Sequence, residues 1–462
     1  MATTSEGREQ WDSRLGFILA AAGSAIGLGN IWRFPVKAGE NGGGAFVVIY
    51  LACVVFICLP YLFAELALGR KSQQNPVGAI RAIKSSTPWP LVGGLCVLSG
   101  FFILSYYAVV AGWTIGYVVK GVFAPAMESK AFFSQLTASP EWVLALFALF
   151  LLATVGVVYS GVRRGIERWA KYLVPALFAL ICMIVFRALT LPGATEGLRF
   201  YLTPDFSEVT GFVVVEALGQ AFFSLSLGMG AMITYASYLS KEESLVASAG
   251  YVVLFDTIIA LLSGLMVFPA VLATGQTSVE GPALVFVILP KVFSQVPLGA
   301  FVEILFFLLL SIAALTSSIS LLEVVISYVV DETRWSRQRG VLLVGGLAFL
   351  FGLPAALSQG AVPALSDLSW LIGNRVLGGS PSFFDLMDVL WGSVALALTA
   401  LLLCLFVGWA WDTQSALDEL RRGDDGLLGR FGGPIWSIAV RYVCPAMILI
   451  ILIFDVLYDF LL

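Results

Sequence analysis

Residues Ala22-Gly23-Ser24-Ala25-Ile26-Gly27-Leu28-Gly29-Asn30 lie in the middle of an apolar run, about residues 15–36. That run is long enough to cross the roughly 30 Å hydrocarbon layer of a bilayer as a helix. Three glycines within seven residues weaken such a helix by about 1 kcal/mol each relative to alanine. A break at this depth frees backbone carbonyls, which hydrocarbon tolerates only where they line a cavity or bind something. Close packing of small residues between helices is the alternative use of these glycines. A second segment, Gly219-Gln220-Ala221-Phe222-Phe223-Ser224-Leu225-Ser226-Leu227-Gly228-Met229-Gly230, again puts glycines and hydroxyls in the centre of an apolar span. Two interrupted hydrophobic segments in two halves of a chain point to a binding site near the bilayer midplane.

The rest of the chain fits a membrane. It is 59% hydrophobic and 12% charged, against roughly 25% charged residues in an ordinary soluble domain. The expectation is an all-α polytopic membrane protein whose main partner is the lipid bilayer. Basic residues are scattered at span ends and not clustered, which argues against nucleic acid. The polar start 1–11 leads straight into the first span, so no signal-peptide pattern is present. All six cysteines lie in or beside apolar spans, which disfavours a disulfide framework. The sequence has no histidine, which removes imidazole metal sites, Ser-His-Asp triads and imidazole proton relays. An enzyme would have little chemistry to use.

Apolar runs between polar or Pro/Gly breaks predict eleven spans: 14–37, 43–70, 89–122, 141–160, 166–189, 211–239, 243–273, 299–330, 339–357, 383–410 and 436–460. Placing the N-terminal segment 1–13 in the cytoplasm puts Arg8, Arg14, Arg70, Lys71, Arg163 and Arg164 on that side, among others. Fewer basic residues fall opposite, such as Lys120, Lys130 and Lys291. This asymmetry predicts a cytoplasmic N-terminus and an external C-terminus. Residues 281–295 are too short to cross and read as a helical extracellular loop folding into a vestibule, or as a helix lying in the interface. Residues 411–435 read as a cytoplasmic connector before a last helix within 436–462.

Gly-Leu-Gly-Asn-Ile-Trp-Arg-Phe-Pro (27–35), Glu-Asn-Gly-Gly-Gly-Ala-Phe (40–46), Ser-Leu-Ser-Leu-Gly (224–228) and Ala-Leu-Thr-Ser-Ser (314–318) resemble motifs of the bacterial neurotransmitter:sodium symporters. The resemblance implies a LeuT-type fold: a core of two inverted five-helix repeats, 14–189 and 190–410, with helices 1 and 6 unwound at their centres. It implies two Na+ ions. One is expected at the Ala25 carbonyl, Asn30, Ser224 and Asp256, together with the substrate carboxylate. The other is expected at the carbonyls of Gly23, Ile26 and Ala313 and the hydroxyls of Thr316 and Ser317. Oxygen donors of these kinds suit a hard cation.

Asp256 stands in Tyr-Val-Val-Leu-Phe-Asp-Thr-Ile-Ile-Ala (251–260), at a depth where an ionised acid marks function by default. Animal relatives usually carry a neutral amide there and use chloride nearby. The corresponding pocket involves Tyr50, Gln220, Ser224 and Ala260, and alanine offers chloride no donor, so no chloride requirement is expected. Glu65, deep in the second span, reads as a structural acid paired with polar backbone. The resemblance implies a substrate site at Ser24, Ala25, Leu28, Gly29, Ile103, Tyr107, Phe223, Ser224, Ser226, Met229, Ser317 and Leu321. Tyr107 matches the tyrosine that bonds the substrate carboxylate. Gly27 stands where amine carriers have an aspartate, which favours substrates bringing their own carboxylate. Arg33 and Asp388 are expected to approach each other on the outer side, with Phe223 as a lid. Arg8 and Asp331 are expected to pair on the inner side, near Trp11 and Tyr238.

The functional expectation is sodium-coupled import of hydrophobic L-amino acids across the cell's inner (plasma) membrane by alternating access, with no obligatory protein partner. A carrier of small neutral amino acids and a non-transporting sensor on the same fold are the alternatives.

Overall fold

The computed structural model describes residues 9–207, 209–273, 284–295, 298–333, 335–372, 380–424 and 426–460. Among them there is no strand, and nine helices are long and apolar enough to cross a membrane. They are Gly44–Ser72, Pro90–Phe123, Pro140–Tyr159, Val162–Leu189, Leu245–Ala273, Gly299–Glu332, Arg337–Leu357, Phe383–Arg421 and Gly432–Phe454. A tenth is the first span, split into Arg14–Ala25 and Gly29–Glu40 with a 51° bend between them. The predicted sixth span is also split, into Gly211–Ser224 and Ala231–Ala236. The expected eleven crossings are reached only when this interrupted segment is counted as one.

The breaks fall where the glycines predict them. Ser13 caps the first helix by accepting the Gly16 N–H at 3.1 Å, and the helix ends at Ala25 as Ile26 turns extended. In the sixth segment Ser226, Gly228 and Gly230 take φ of +53°, +78° to +81° for the two glycines. Glycine adopts that left-handed conformation freely. Ser226 does not, and its strain is offset by a hydrogen bond from its Oγ to the Ser24 carbonyl at 2.9 Å.

The two broken spans run antiparallel. Gly29–Glu40 and Gly211–Ser224 are joined by Gln220 Nε2 donating to the Gly29 carbonyl (2.9 Å) and by the Lys37–Glu216 ion pair (2.7 Å). The opposite ends meet where Trp11 donates its ring N–H to the Tyr235 carbonyl (2.8 Å) and its backbone N–H to the Tyr238 carbonyl (3.1 Å). The third and eighth spans pack closely beside them, with the position of a Gly100 Cβ only 3.5 Å from the Leu321 carbonyl.

Of the segment expected as a loop helix, 281–283 lie outside the described residues, and Leu284–Ser294 is helical. Its Leu284, Val285, Phe286, Leu289, Val292 and Phe293 are buried. Phe286 packs on Trp113, Tyr117 and Phe133, so the helix folds inward and does not lie on the surface. The expected connector 411–435 differs more. The tenth span runs on as helix to Arg421, with Ala416, Leu417 and Leu420 buried at helical spacing. That extension supplies Glu419 to Arg70, a fully buried pair at 2.8 Å.

Candidate functional site

The break in the first span leaves the last carbonyls of Arg14–Ala25 without intrahelical donors. The Gly27 N–H turns to Asn30 Oδ1 (3.2 Å), which leaves the Gly23 carbonyl free of its usual helical partner. Asn30 is fully buried, and its amide N–H donates to Ser224 Oγ (2.8 Å), Asp256 Oδ1 (2.7 Å) and the Asp256 carbonyl (3.2 Å). Ser224 Oγ in turn donates to Asp256 Oδ1 and Oδ2 at 3.1 and 3.0 Å. Three of the residues expected around one cation therefore touch one another, and Ala25 ends the adjacent helix. Tyr50 OH reaches Ser224 Oγ at 3.4 Å. Gln220 Oε1 is buried with no hydrogen-bond partner, while Ala260 is buried and donates nothing.

The second expected cluster also comes together. Thr316 Oγ1 lies 2.9 Å from the Ala313 carbonyl, and Ser317 Oγ lies 3.4 Å from the Ile26 carbonyl and 3.1 Å from that of Ser24. A Cβ on Gly23 would stand 3.3 Å from the Thr316 Cβ, so the first and eighth spans are at close range there. These are hydroxyl, amide and carbonyl oxygens with one carboxylate, a donor set that fits an alkali cation.

Tyr107 OH accepts the Leu28 N–H at 3.2 Å. A side chain at Gly27 would meet Ser317 Oγ at 2.6 Å and Tyr107 OH at 3.1 Å. The Phe223 ring covers Gly29 on the other side, 2.8 Å from where its Cβ would be. Ser24 is pinned from two sides, by Ser226 and Ser317 on its carbonyl and by its own Oγ donating to Ser320 Oγ (2.7 Å). Ile103, Met229 and Leu321 are buried. They line no part of the cavity that opens above the break, which Leu28, Gly29, Tyr107 and Phe223 do.

That cavity holds about 330 Å³ and is walled further up by Arg33, Tyr106, Phe384, Asp385 and Asp388. Its volume falls in the roughly 300–1,000 Å³ range of small-molecule sites. Arg33 and Asp388 face it together, but no N···O approach of 4.0 Å or less joins them among the described residues. Arg33 instead lies over the Phe223 ring at 4.6 Å, and Asp388 accepts the Tyr106 hydroxyl at 2.9 Å. The two residues expected to approach each other as a gate thus stand apart.

The opposite end of the two broken spans is held together by side-chain contacts. Arg8 lies outside the described residues, and Asp331 accepts both the backbone and side-chain N–H of Asn75 (2.9 and 3.0 Å). Trp11 is buried against Tyr235 and Tyr238. Tyr238 OH donates to Glu323 (2.6 Å), which Arg337 grips with both guanidinium nitrogens. Glu323 sits in Leu-Leu-Glu-Val-Val (321–325), the same sign of an acid in an apolar run that singled out Asp256. Glu167, which receives three donors near Ser13, and the buried Arg70–Glu419 pair carry no such sign, since charged residues flank both acids along the chain. Glu65 behaves as the sequence suggests, accepting the Gly228 N–H (2.9 Å) and Tyr61 OH (3.2 Å).

Residues 8–130 and 133–459 match the family model described as the sodium:neurotransmitter symporter family. An uncharacterized sodium-dependent transporter of Bacillus subtilis is 38% identical over 96% of this chain and 96% of its own. One of Haemophilus influenzae is 36% identical over 98% and 99%. Among solved structures, MhsT in complex with L-phenylalanine is 42% identical and superposes with a TM-score of 0.85, covering 97% of this chain and 99% of that one. That likeness carries the LeuT-type fold, in which antiparallel broken spans cross at the centre. On sequence, fold and length together, this chain is a sodium-dependent symporter of the membrane and belongs to the sodium:neurotransmitter symporter family.

Proposed function

We propose that the protein imports hydrophobic L-amino acids, aliphatic and aromatic, with two Na+ ions and without chloride, across the inner (plasma) membrane from the side of the 330 Å³ cavity. The observation that carries the substrate class is the likeness, at 42% identity over nearly the whole chain, to a transporter solved with L-phenylalanine. The surroundings agree. Tyr107 and the N–H groups of the break are suited to a carboxylate, as helix termini are. Phe223, Val110 and Phe384 give the cavity apolar walls, where an unpaired charged side chain would cost several kcal/mol.

Chloride independence rests on Asp256. Two Na+ ions and a zwitterion bring a net +2 into a buried site, and a fixed carboxylate bonded to Asn30 and Ser224 offsets part of it. The positive-inside pattern supports a cytoplasmic N-terminus.

The test is uptake of labelled L-phenylalanine and L-leucine into proteoliposomes. Uptake should vanish when choline replaces sodium and persist when gluconate replaces chloride. Sodium-driven uptake of glycine or alanine in preference to both would overturn the substrate class. Loss of uptake in gluconate would overturn chloride independence.

A further inference from the structure

The extended stretch 9–13 is held along two edges. One edge joins the sixth segment through Trp11. The other joins the start of the fifth span. There the Val162 N–H donates to Glu9 Oε2 (3.1 Å), and Arg163 Nε donates to the Gln10 carbonyl (2.7 Å). Glu167 is the centre of that edge. Its Oε2 accepts the Asp12 N–H at 2.7 Å, its Oε1 accepts the Ser13 hydroxyl at 2.8 Å, and Lys171 Nζ lies 2.7 Å from Oε1. The carboxylate is nearly inaccessible, at 2% exposure. It sits at the N-terminus of Arg14–Ala25, where the helix dipole favours an anion. The chain leaves room for it: a Cβ on Gly16 would lie 2.0 Å from Glu167 Oε1.

Both elements that Glu167 joins are irregular. Residues 9–13 are not helical, and the fifth span starts with widened turns over Val162–Glu167, after Gly161 at φ +91°. Lys171 is one turn along the same helix as Glu167 and is itself 37% exposed. Lying on the same helix, Lys171 would keep the carboxylate paired if the stretch 9–13 left it. Parting the two elements would break four hydrogen bonds, two of them to Glu167, without stranding a buried charge, which makes a reversible contact out of a buried acid.

We propose that Glu167 is a positioning residue of the transport cycle. It is the latch that holds the N-terminal half of the first span against the fifth span while the path on that side is shut, and it must let go for that path to open. The inference rests on the proposed cytoplasmic placement of residues 9–13.

The test uses the full-length protein in proteoliposomes, with its six cysteines replaced by alanine and Ala20→Cys as reporter. Labelling by a membrane-impermeant maleimide, applied to each face in turn, is measured beside the sodium dependence of uptake. Glu167→Ala should speed labelling from the cytoplasmic face at least about tenfold, since a charged hydrogen-bonding partner is lost. It should also raise the sodium needed for half-maximal uptake. Glu167→Gln, which keeps the shape and one acceptor, should fall between. Gly16→Ala should mimic Glu167→Ala, because its methyl group evicts the carboxylate, and should add nothing in the Glu167→Ala background. A purely structural role would not produce that mutual masking. Independent, multiplying effects of Gly16→Ala and Glu167→Ala would overturn the latch, as would labelling unchanged in a folded Glu167→Ala or Glu167→Gln protein. Acceleration from the opposite face, with masking intact, would uphold the latch and overturn the orientation.

Discussion

Replacing Asp256 with asparagine separates its charge from its shape. The carboxylate is fully buried and accepts hydrogen bonds from Asn30 Nδ2 (2.7 Å) and Ser224 Oγ (3.0 Å). Asparagine keeps an acceptor at the same place, so most of the hydrogen bonding survives. A cation bonded to Ser224 Oγ at a hard-ion distance of roughly 2.4 Å stands no further than about 4–5 Å from the carboxylate, which sets the lower bound of the effect. At an effective dielectric of about 20, the lost attraction is about 3–4 kcal/mol, a hundredfold or more in sodium affinity. The sodium-free protein should not suffer, because a buried charge no longer has to be desolvated. Asp256→Asn should therefore raise the sodium needed for half-maximal uptake by roughly two orders of magnitude, while thermal unfolding without sodium stays level or moves up. Adding Ala260→Ser should make the residual uptake respond to chloride. A shift in sodium dependence under about threefold, in protein that is folded and inserted, would refute the charge argument.

Three further outcomes follow from contacts outside the cation sites. Gly228→Ala should lower thermal stability and abolish uptake, because it forces a side chain into φ +81° and places its Cβ 2.8 Å from the Leu396 carbonyl; the backbone term alone is about 1–2 kcal/mol. Glu65→Gln should retain most uptake, since one oxygen can still accept the Gly228 N–H and Tyr61 OH. Glu65→Ala should lose it, with a stability loss of about 1–3 kcal/mol for buried donors left unmatched. Arg70→Ala leaves the fully buried Glu419 with only the half-exposed Arg422, at 3.5 Å, and should cost about 3–5 kcal/mol in thermal or denaturant unfolding in detergent, more than Glu419→Gln does.

What the sequence makes legible is whatever depends on local composition. Glycine at 23, 27 and 29 marks the first break, and glycine at 228 and 230 marks the second, because helix propensity is a property of a few neighbours. Asp256 and Glu65 announce themselves by hydropathy contrast. The widened turn at Val54–Cys58 leaves no such trace, since its apolar residues suit either winding. Partners far apart along the chain are equally silent. Arg70 meets Glu419 across 349 residues and Asp12 meets Glu167 across 155, so the composition of either end shows a charge but not its mate. The connector at 411–435 was legible as charged, yet its helical extension depends on Arg70 arriving from the second span. The parting of Arg33 from Asp388 is a matter of state, and one sequence serves every state of the cycle.

The contact pattern also suggests why sodium binding and gate position should be linked. The halves of the first span are bonded to the halves of the sixth at both ends, by Lys37–Glu216 and Gln220–Gly29 outside and by Trp11–Tyr235 inside. These bonds lie within the pair and need not change when it tilts as a body. The bonds that must change run from the pair to its surroundings: Glu167 to Asp12 and Ser13, Ser317 to the Ser24 and Ile26 carbonyls, and Ser320 to Ser24. The proposed second cluster draws the Gly23 and Ile26 carbonyls from the first span and Thr316 and Ser317 from the eighth, so a cation held there would tie the pair to the eighth span. A ligand shifts an equilibrium only by its differential affinity for the two states, and a site split between a moving and a stationary element supplies that difference directly. Sodium should then favour the arrangement seen here, with the cavity beside Arg33 and Asp388 present and the Trp11 end laced. Without sodium, the bonds of Glu167 to Asp12 and Ser13 and that of Tyr238 to Glu323 remain as ties between the pair and its surroundings at the Trp11 end.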